Sequence, residues 1–292
     1  MRNRFSLFKV ASHIILFVFC LFCILPMILV VSISFSSEND IVNYGYRLIP
    51  KIIDFSAYRF VFSDLSTLLK AYLVTITVTV TGTALGLLMA TSLAYGISRK
   101  DFKYRNIISF YVFFTMLFNG GLVPWYILIT KYLHLGDSLL VLILPYAVNV
   151  WFVMLMKGFL QNISSAIIES AKIDGASELR ILFTIVMPIS KPALATVGLF
   201  YALNYWNDWW LSLLFIENKN FYPLQFLLYK VLTNIEILTS MKSSYGIDVR
   251  VDLPTHAVRM ATAILAAGPM LFVFPFFQKY FVKGLTIGSV KG

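Results

Sequence analysis

Long apolar runs broken by short polar stretches set the pattern of this chain. His13–Ser34, Ala71–Ile97, Ile107–Thr130, Leu139–Met156, Pro192–Ile216 and Ala261–Phe277 are each mostly apolar. A bilayer core of about 30 Å takes roughly 20 apolar residues as a helix. The pattern therefore predicts six membrane spans and an all-α polytopic membrane protein, read as a single domain over 1–292. The polar stretches divide into two kinds. Phe35–Lys70 and Glu217–Met260 are long; the second holds an amphipathic stretch, Leu224–Leu238, then polar Ser243–Asp252 and Pro254. Such a segment lies on a membrane surface or docks on another protein. On the other side, Lys157–Lys191 is the longest loop.

Composition agrees with a chain whose main solvent is lipid. Of the 292 residues, 59% are hydrophobic and only 13% charged, against about 25% charged in soluble domains. That excludes a soluble enzyme and a disordered chain. The net charge of +10 is not a nucleic-acid signature. With the N-terminus inside, the whole basic excess falls on the inner segments, including Arg2, Arg4, Lys9, Arg99, Lys100 and Lys103. Both termini are then expected in the cytoplasm, with 217–260 outside. Arg2 and Arg4 ahead of an apolar run resemble a signal peptide, but the run is long and no A-x-A site follows, so a retained first span is expected. Cys20-x-x-Cys23 lies inside that span and reads as packing, not redox chemistry. Three histidines leave little material for a metal site, and none is expected. His134 and His256 read as loop residues.

Two places within the spans are unusual. Asn119-Gly120-Gly121 with Pro124 predicts a break near the outer end of the third helix. In the fifth span, Asn204-Tyr205-Trp206-Asn207-Asp208-Trp209-Trp210 places a carboxylate where it costs a few kcal/mol unless it faces protein or a cavity. If helical, Asn204, Asn207 and Asp208 share one stripe, and Trp209 and Trp210 cannot both join it. Two readings stay open: a sugar site made of flat aromatic faces and amides, or a clamp on a partner helix.

The inner loop 157–191 carries the clearest signal. Ser164–Asp174 reads as a helix, Gly175 as its left-handed end, Ser177 as the next N-cap, and Glu178–Met187 as a second helix running into Pro188. A helix pair exposing Ile, Leu and Phe to the cytoplasm is a docking element. Glu169-Ser170-Ala171, three residues, Gly175, nine residues, Ile185-x-Met187-Pro188 resembles the E-A-A loop of ABC-importer permease subunits, with Ser170 and Met187 departing from its usual Ala and Leu. Phe118–Pro124, Tyr205–Asp208 and the tail Pro275–Gly284 to Lys291-Gly292 are similar to the carbohydrate-uptake branch, nearest to permeases for complex oligosaccharides.

That resemblance implies the type I importer permease fold in a bacterial cytoplasmic membrane. It implies a second, homologous permease in a heterodimer, a dimer of ATPase subunits and an extracellular sugar-binding protein as partners. It further implies that Glu169, Ala171, Asp174, Gly175, Ile185 and Pro188 seat on an ATPase subunit. Asn119, Asn204, Trp206, Asn207 and Asp208 are the candidates for the sugar path or the partner clamp. The sequence contains no G-x-x-x-x-G-K-[ST], so the chain is expected to be no enzyme and to need no cofactor, ATP being used by its partners. The rival readings are a permease for a non-sugar solute, a secondary transporter and a membrane-embedded enzyme. The last two lack intramembrane ion ligands beyond Asp208 and a cluster of His, Asp or Glu.

Overall fold

The computed structural model describes residues 2–245 and 254–289, and side chains within 8–276 except 238–239 and 241–253. It is built from helices: α1 Arg2–Ser34, α2 Glu38–Tyr44, α3 Ser56–Val61, α4 Leu65–Ser98, α5 Arg105–Leu117, α6 Leu122–Ile127, α7 Leu139–Ala147, α8 Val150–Leu160, α9 Ser165–Ile173, α10 Glu178–Ile181, α11 Met187–Ile189, α12 Lys191–Trp206, α13 Trp210–Phe215, α14 Leu224–Tyr245 and α15 Thr255–Ser289. The motif residues Lys291 and Gly292, and most of the polar stretch 243–252, lie outside the described residues.

Among the described residues, three helical stretches are long and apolar enough to cross a membrane unaided, Phe8–Ser34, Ser56–Ser98 and Thr255–Phe276; counting each of three bent pairs as one span brings the number to as many as six. The third span breaks where Asn119-Gly120-Gly121 predicted it: α5 ends at Leu117, Gly121 takes φ +90°, and the chain leaves at 110° into α6. Two further bends depart from the picture of straight spans. The fourth, expected to run unbroken over Leu139–Met156, bends by 46° between α7 and α8. Pro145 removes one helical donor there, and Asn149 Oδ1 accepts from Trp151 N and Phe152 N, capping α8 as a fresh start. The fifth stops at Trp206 and resumes as α13.

The described residues form two compact units. The first comprises Met1–Leu68 and Leu228–Pro269. Its core gathers Ile33, Ile41, Ala57, Ile235, Ala257, Val258 and Ala261. Glu38 caps α15, accepting from Thr255 Oγ1 at 2.8 Å, His256 N at 3.0 Å and Ala257 N at 3.2 Å, so a carboxylate meets the positive end of a 35-residue helix. The apolar window of α1 is exposed throughout, and Cys20 and Cys23 with it.

The second unit comprises Leu69–Leu227 and Met270–Gly292. Here α12 lays two tyrosine rings on the glycines of α4. A Cβ on Gly82 would lie 2.6 Å from the Tyr205 ring, and one on Gly86 2.6 Å from the Tyr201 ring. This G-x-x-x-G stripe lets two tyrosines lie flat against a backbone, as small residues do between membrane helices. The same tyrosines reach past it to the bent α7. Tyr205 Oη donates to Ile143 O at 2.8 Å and Tyr201 Oη to Ala147 O at 3.1 Å. In hydrocarbon a freed carbonyl has no water to turn to, so side-chain donors of this kind are what make the bend tolerable.

Candidate functional site

The helix pair of the 157–191 loop forms as its sequence dictates. α9 ends in a Schellman turn: Ala176 N donates to Ala171 O at 2.9 Å and Gly175 N to Lys172 O at 3.0 Å, with Gly175 at φ +78°. A Cβ on Gly175 would touch nothing within 4 Å, so the position demands backbone freedom and not space. Ser177 Oγ accepts from Arg180 N and starts α10. Pro188 does not stop the second helix where sequence placed the stop. A wide turn over Leu182–Val186 precedes it, α11 continues to Ile189, and only at Ser190 does the chain swing by 87° into α12. The wider i→i+5 turn draws the preceding carbonyls away from the proline ring.

One face of the pair is fastened to the core. Ile168, Ala171, Ile181, Leu182 and Val186 are buried, and Ile185 packs half-buried beside them. The other face is open: Glu169, Asp174 and Pro188 are exposed, Ile173 is 87% exposed and Leu179 69%. The two apolar side chains flank the Gly175 turn.

A polar network that sequence reasoning missed holds the pair to the end of α4. Lys172 Nζ lies 2.7 Å from Asp101 Oδ2 and 2.6 Å from Glu178 Oε1. Arg99 grips Asp101 with two bonds of 3.0 and 2.9 Å, and Tyr95 Oη donates to Glu178 Oε2 at 2.6 Å. The hydrogen bond from Arg99, then that from Lys172, holds the Asp101 carboxyl well below the usual carboxylate range. The bond to Asp101, then that to Glu178, raises Lys172. Burial alone would raise Glu178, yet the bonds from Lys172 and Tyr95 bring it down. No local spacing signals these contacts, since Asp101 and Lys172 are 71 residues apart.

The second candidate region is the break after α12. Because the helix ends at Trp206, the expected stripe of Asn204, Asn207 and Asp208 does not form as drawn. Asn207 is the C-cap, its Nδ2 donating to Leu203 O at 2.8 Å. Asp208 lies beyond it and belongs to its own chain: Oδ1 accepts from Tyr146 Oη at 2.9 Å and Oδ2 from Leu211 N at 3.3 Å, which caps α13. Asn204, Asn207, Asp208, Trp209 and Trp210 line an open cleft of about 390 Å³ with Phe200. The helix break lets both Trp209 and Trp210 turn toward it, their rings 5.8 Å apart at 87°, where a continuous helix would have parted them. Asn204 Nδ2 is enclosed, with no acceptor within reach among the described residues. Trp206 is buried and does not line this cleft. Asn119 stands apart from it, exposed at the α5–α6 break, its Oδ1 accepting from Gly121 N at 2.8 Å.

The fold and these sites can be set beside known proteins. Residues 82–287 match the family model described as binding-protein-dependent transport system inner membrane component. The polygalacturonan/rhamnogalacturonan transport system permease protein YtcP of Bacillus subtilis is 41% identical over 292 residues, covering all of both chains. Protein LplC of the same organism is 38% identical, covering 92% of this chain and 90% of its own length. Among solved structures, a bacterial ABC transporter involved in the import of the acidic polysaccharide alginate superposes with a TM-score of 0.79 at 30% identity, covering 94% of this chain and 97% of that one. An all-helical membrane chain with these matches over its whole length is a member of the binding-protein-dependent transport system inner membrane component family, the permease component of ABC importers.

Proposed function

We propose that this permease lines half of the membrane path for an oligosaccharide, paired with a second, non-identical permease, and is driven by a dimer of ATPase subunits. The observation that carries the coupling half of this reading is the helix pair around Gly175. Its buried face fixes it to the core, while Ile173 and Leu179 stand exposed on either side of a rigid turn. Apolar tips held in water by a fixed turn suit a cleft on another protein. In this role Glu169 and Asp174 rim the contact, Gly175 sets its angle, and Ala171 and Ile185 seat the helices on the core. Pro188 precedes the swing into α12. ATP is bound and hydrolysed by the separate subunits, and the chain uses no cofactor. The charge distribution supports both termini on the cytoplasmic side and 217–260 outside, where an extracellular sugar-binding protein delivers the cargo.

Two lines support an oligosaccharide as that cargo. One relative is a polygalacturonan/rhamnogalacturonan permease and the solved structure an alginate importer, and the cleft presents Trp209, Trp210 and Asn207, which suit sugar faces and hydroxyls. Sugar acids are therefore the first to test. Asp208, already committed to Tyr146 and Leu211, shapes the cleft, while Trp206 and Asn119, which do not line it, are assigned no sugar contact. The test is co-expression of the tagged chain with a candidate partner permease, ATPase and binding protein. Purified complexes should contain one copy of each permease and two ATPases, and vesicles containing them should take up oligogalacturonate only with ATP inside. A transporting complex made of this polypeptide alone would sink the proposal.

A further inference from the structure

The segment between α2 and α3 has a feature unrelated to the cargo path. Its C-terminal part is pinned to the residues that follow α1: Ser37 N donates to Ile52 O at 3.3 Å and Asp54 N to Phe35 O at 2.8 Å, around an antiparallel bridge of Ser36 with Ile53. Its middle is tied to α1 itself. Ser32 Oγ, buried and inside the last turn of the apolar span, donates to Arg47 O at 2.7 Å. The backbone of Arg47 thus lies at the depth where the first span meets the membrane surface.

What the segment presents at that depth is specific. Arg47 and Lys51 both stack on the Tyr44 ring, the guanidinium carbon 4.9 Å and the ammonium 4.7 Å from its centroid. The two charges are therefore within about 10 Å of each other on one aromatic ring. Asp40 lines the same small crevice but forms no ion pair with either cation among the described residues. Beside them Leu48 is exposed and Ile49 is 81% exposed, as are Tyr44 and Tyr46. Two cations on one aromatic ring, with the Asp40 carboxylate the one acid lining their crevice, next to exposed aliphatic side chains at the level of a span end, are the parts of an interfacial anchor. Cations meet phosphates, tyrosines take the boundary and aliphatic groups enter the acyl layer.

We propose that Tyr44, Arg47 and Lys51 form a binding site for the phosphate of an anionic phospholipid, with Leu48 and Ile49 inserted into the leaflet that meets the C-terminal end of α1. The site stands independently of which solute is transported. The Ser32–Arg47 bond keeps the backbone that carries Leu48 and Ile49 beside the last turn of the apolar span, which favours lipid over an acidic protein as the occupant.

The test uses the full chain in nanodiscs of phosphatidylcholine, with and without phosphatidylglycerol. Lipids retained after mild detergent stripping are counted by native mass spectrometry. The wild type should retain phosphatidylglycerol over phosphatidylcholine by roughly tenfold, and an Arg47→Gln/Lys51→Gln variant should lose most of that preference. Ile49→Trp should add fluorescence that brominated acyl chains quench, relative to the wild-type background. Equal retention by wild type and the double variant, or no quenching of the fluorescence added by Ile49→Trp, overturns the site. Displacement of the retained lipid by millimolar inorganic phosphate would reassign it to free phosphate. Loss of binding-protein affinity in pure phosphatidylcholine, with lipid retention unchanged, would reassign it to a protein partner.

Discussion

At Gly175 the constraint lies in the backbone and not in the space around it. Its Cβ would meet no atom within 4 Å, yet its φ of +78° is left-handed, a region that costs an ordinary L-residue about 1–2 kcal/mol. Gly175→Val should therefore leave the protein inserted and abundant while reorienting Ile173 and Leu179. ATP-dependent uptake by the assembled complex should fall by about tenfold or more, whereas Gly175→Asn, which tolerates this conformation, should retain most of it. Normal uptake by the valine variant would remove the turn from the coupling role. Asp208 makes the opposite point. Its residue type and apolar surroundings marked it as important in the sequence, but its partners, Tyr146 and Leu211 N, depend on a helix break that periodicity does not reveal.

At the scale of elements, α9 and α10 hold their place through packing and through the Arg99–Asp101–Lys172–Glu178–Tyr95 network. Its ion pairs are partly exposed, with Lys172 at 36% and Asp101 at 52%, so each contributes little alone. The network's value is geometric: it joins the pair to the end of α4 and its following loop. Its pH dependence has a definite sign. Asp101 and Glu178 are depressed in the fold, so their contribution is present above the ordinary carboxylate range of about 4 and is lost as pH falls through their folded values. Lys172 is raised, so its contribution is complete below about 10.4 and is lost as pH rises through its folded value. Hydrogen exchange of residues 165–181, corrected for intrinsic rate, should be flat from about pH 5.5 to 9. Lys172→Ala should raise it throughout that range. A midpoint near neutrality would contradict the network as described.

For the molecule as a whole, the membrane region of the second unit depends on close approach between α4 and α12. Gly86→Ala already puts a Cβ 2.6 Å from Tyr201, and overpacking of this kind costs about 1–3 kcal/mol. Displacing Tyr201 also removes its donor from Ala147 O at the α7–α8 bend. The purified protein should melt a few degrees lower, and Gly86→Leu lower still, while Gly96→Ala, whose Cβ meets nothing within 4 Å, should be nearly silent. Equal effects at Gly86 and Gly96 would show that the tyrosine contact is not what limits the packing.

Much of this was legible in the residues. Run lengths announce a membrane protein because lipid imposes a length and a composition on any helix that crosses it. The Gly175 turn and the Ser177 cap are local as well, since a helix end is satisfied by groups a few residues away, and the structure places both where the spacing put them. The carbonyl partners at the α7–α8 bend, the break after Trp206, the tyrosines on Gly82 and Gly86, and the network from Tyr95 to Glu178 were decided by tertiary structure. Each depends on groups tens of residues apart: Tyr205 answers a carbonyl of α7, Asp208 a hydroxyl of α7, and Lys172 a carboxylate after α4. Hydropathy records only that a stretch prefers lipid. It cannot record which helix will supply the hydrogen bond that lets another one bend.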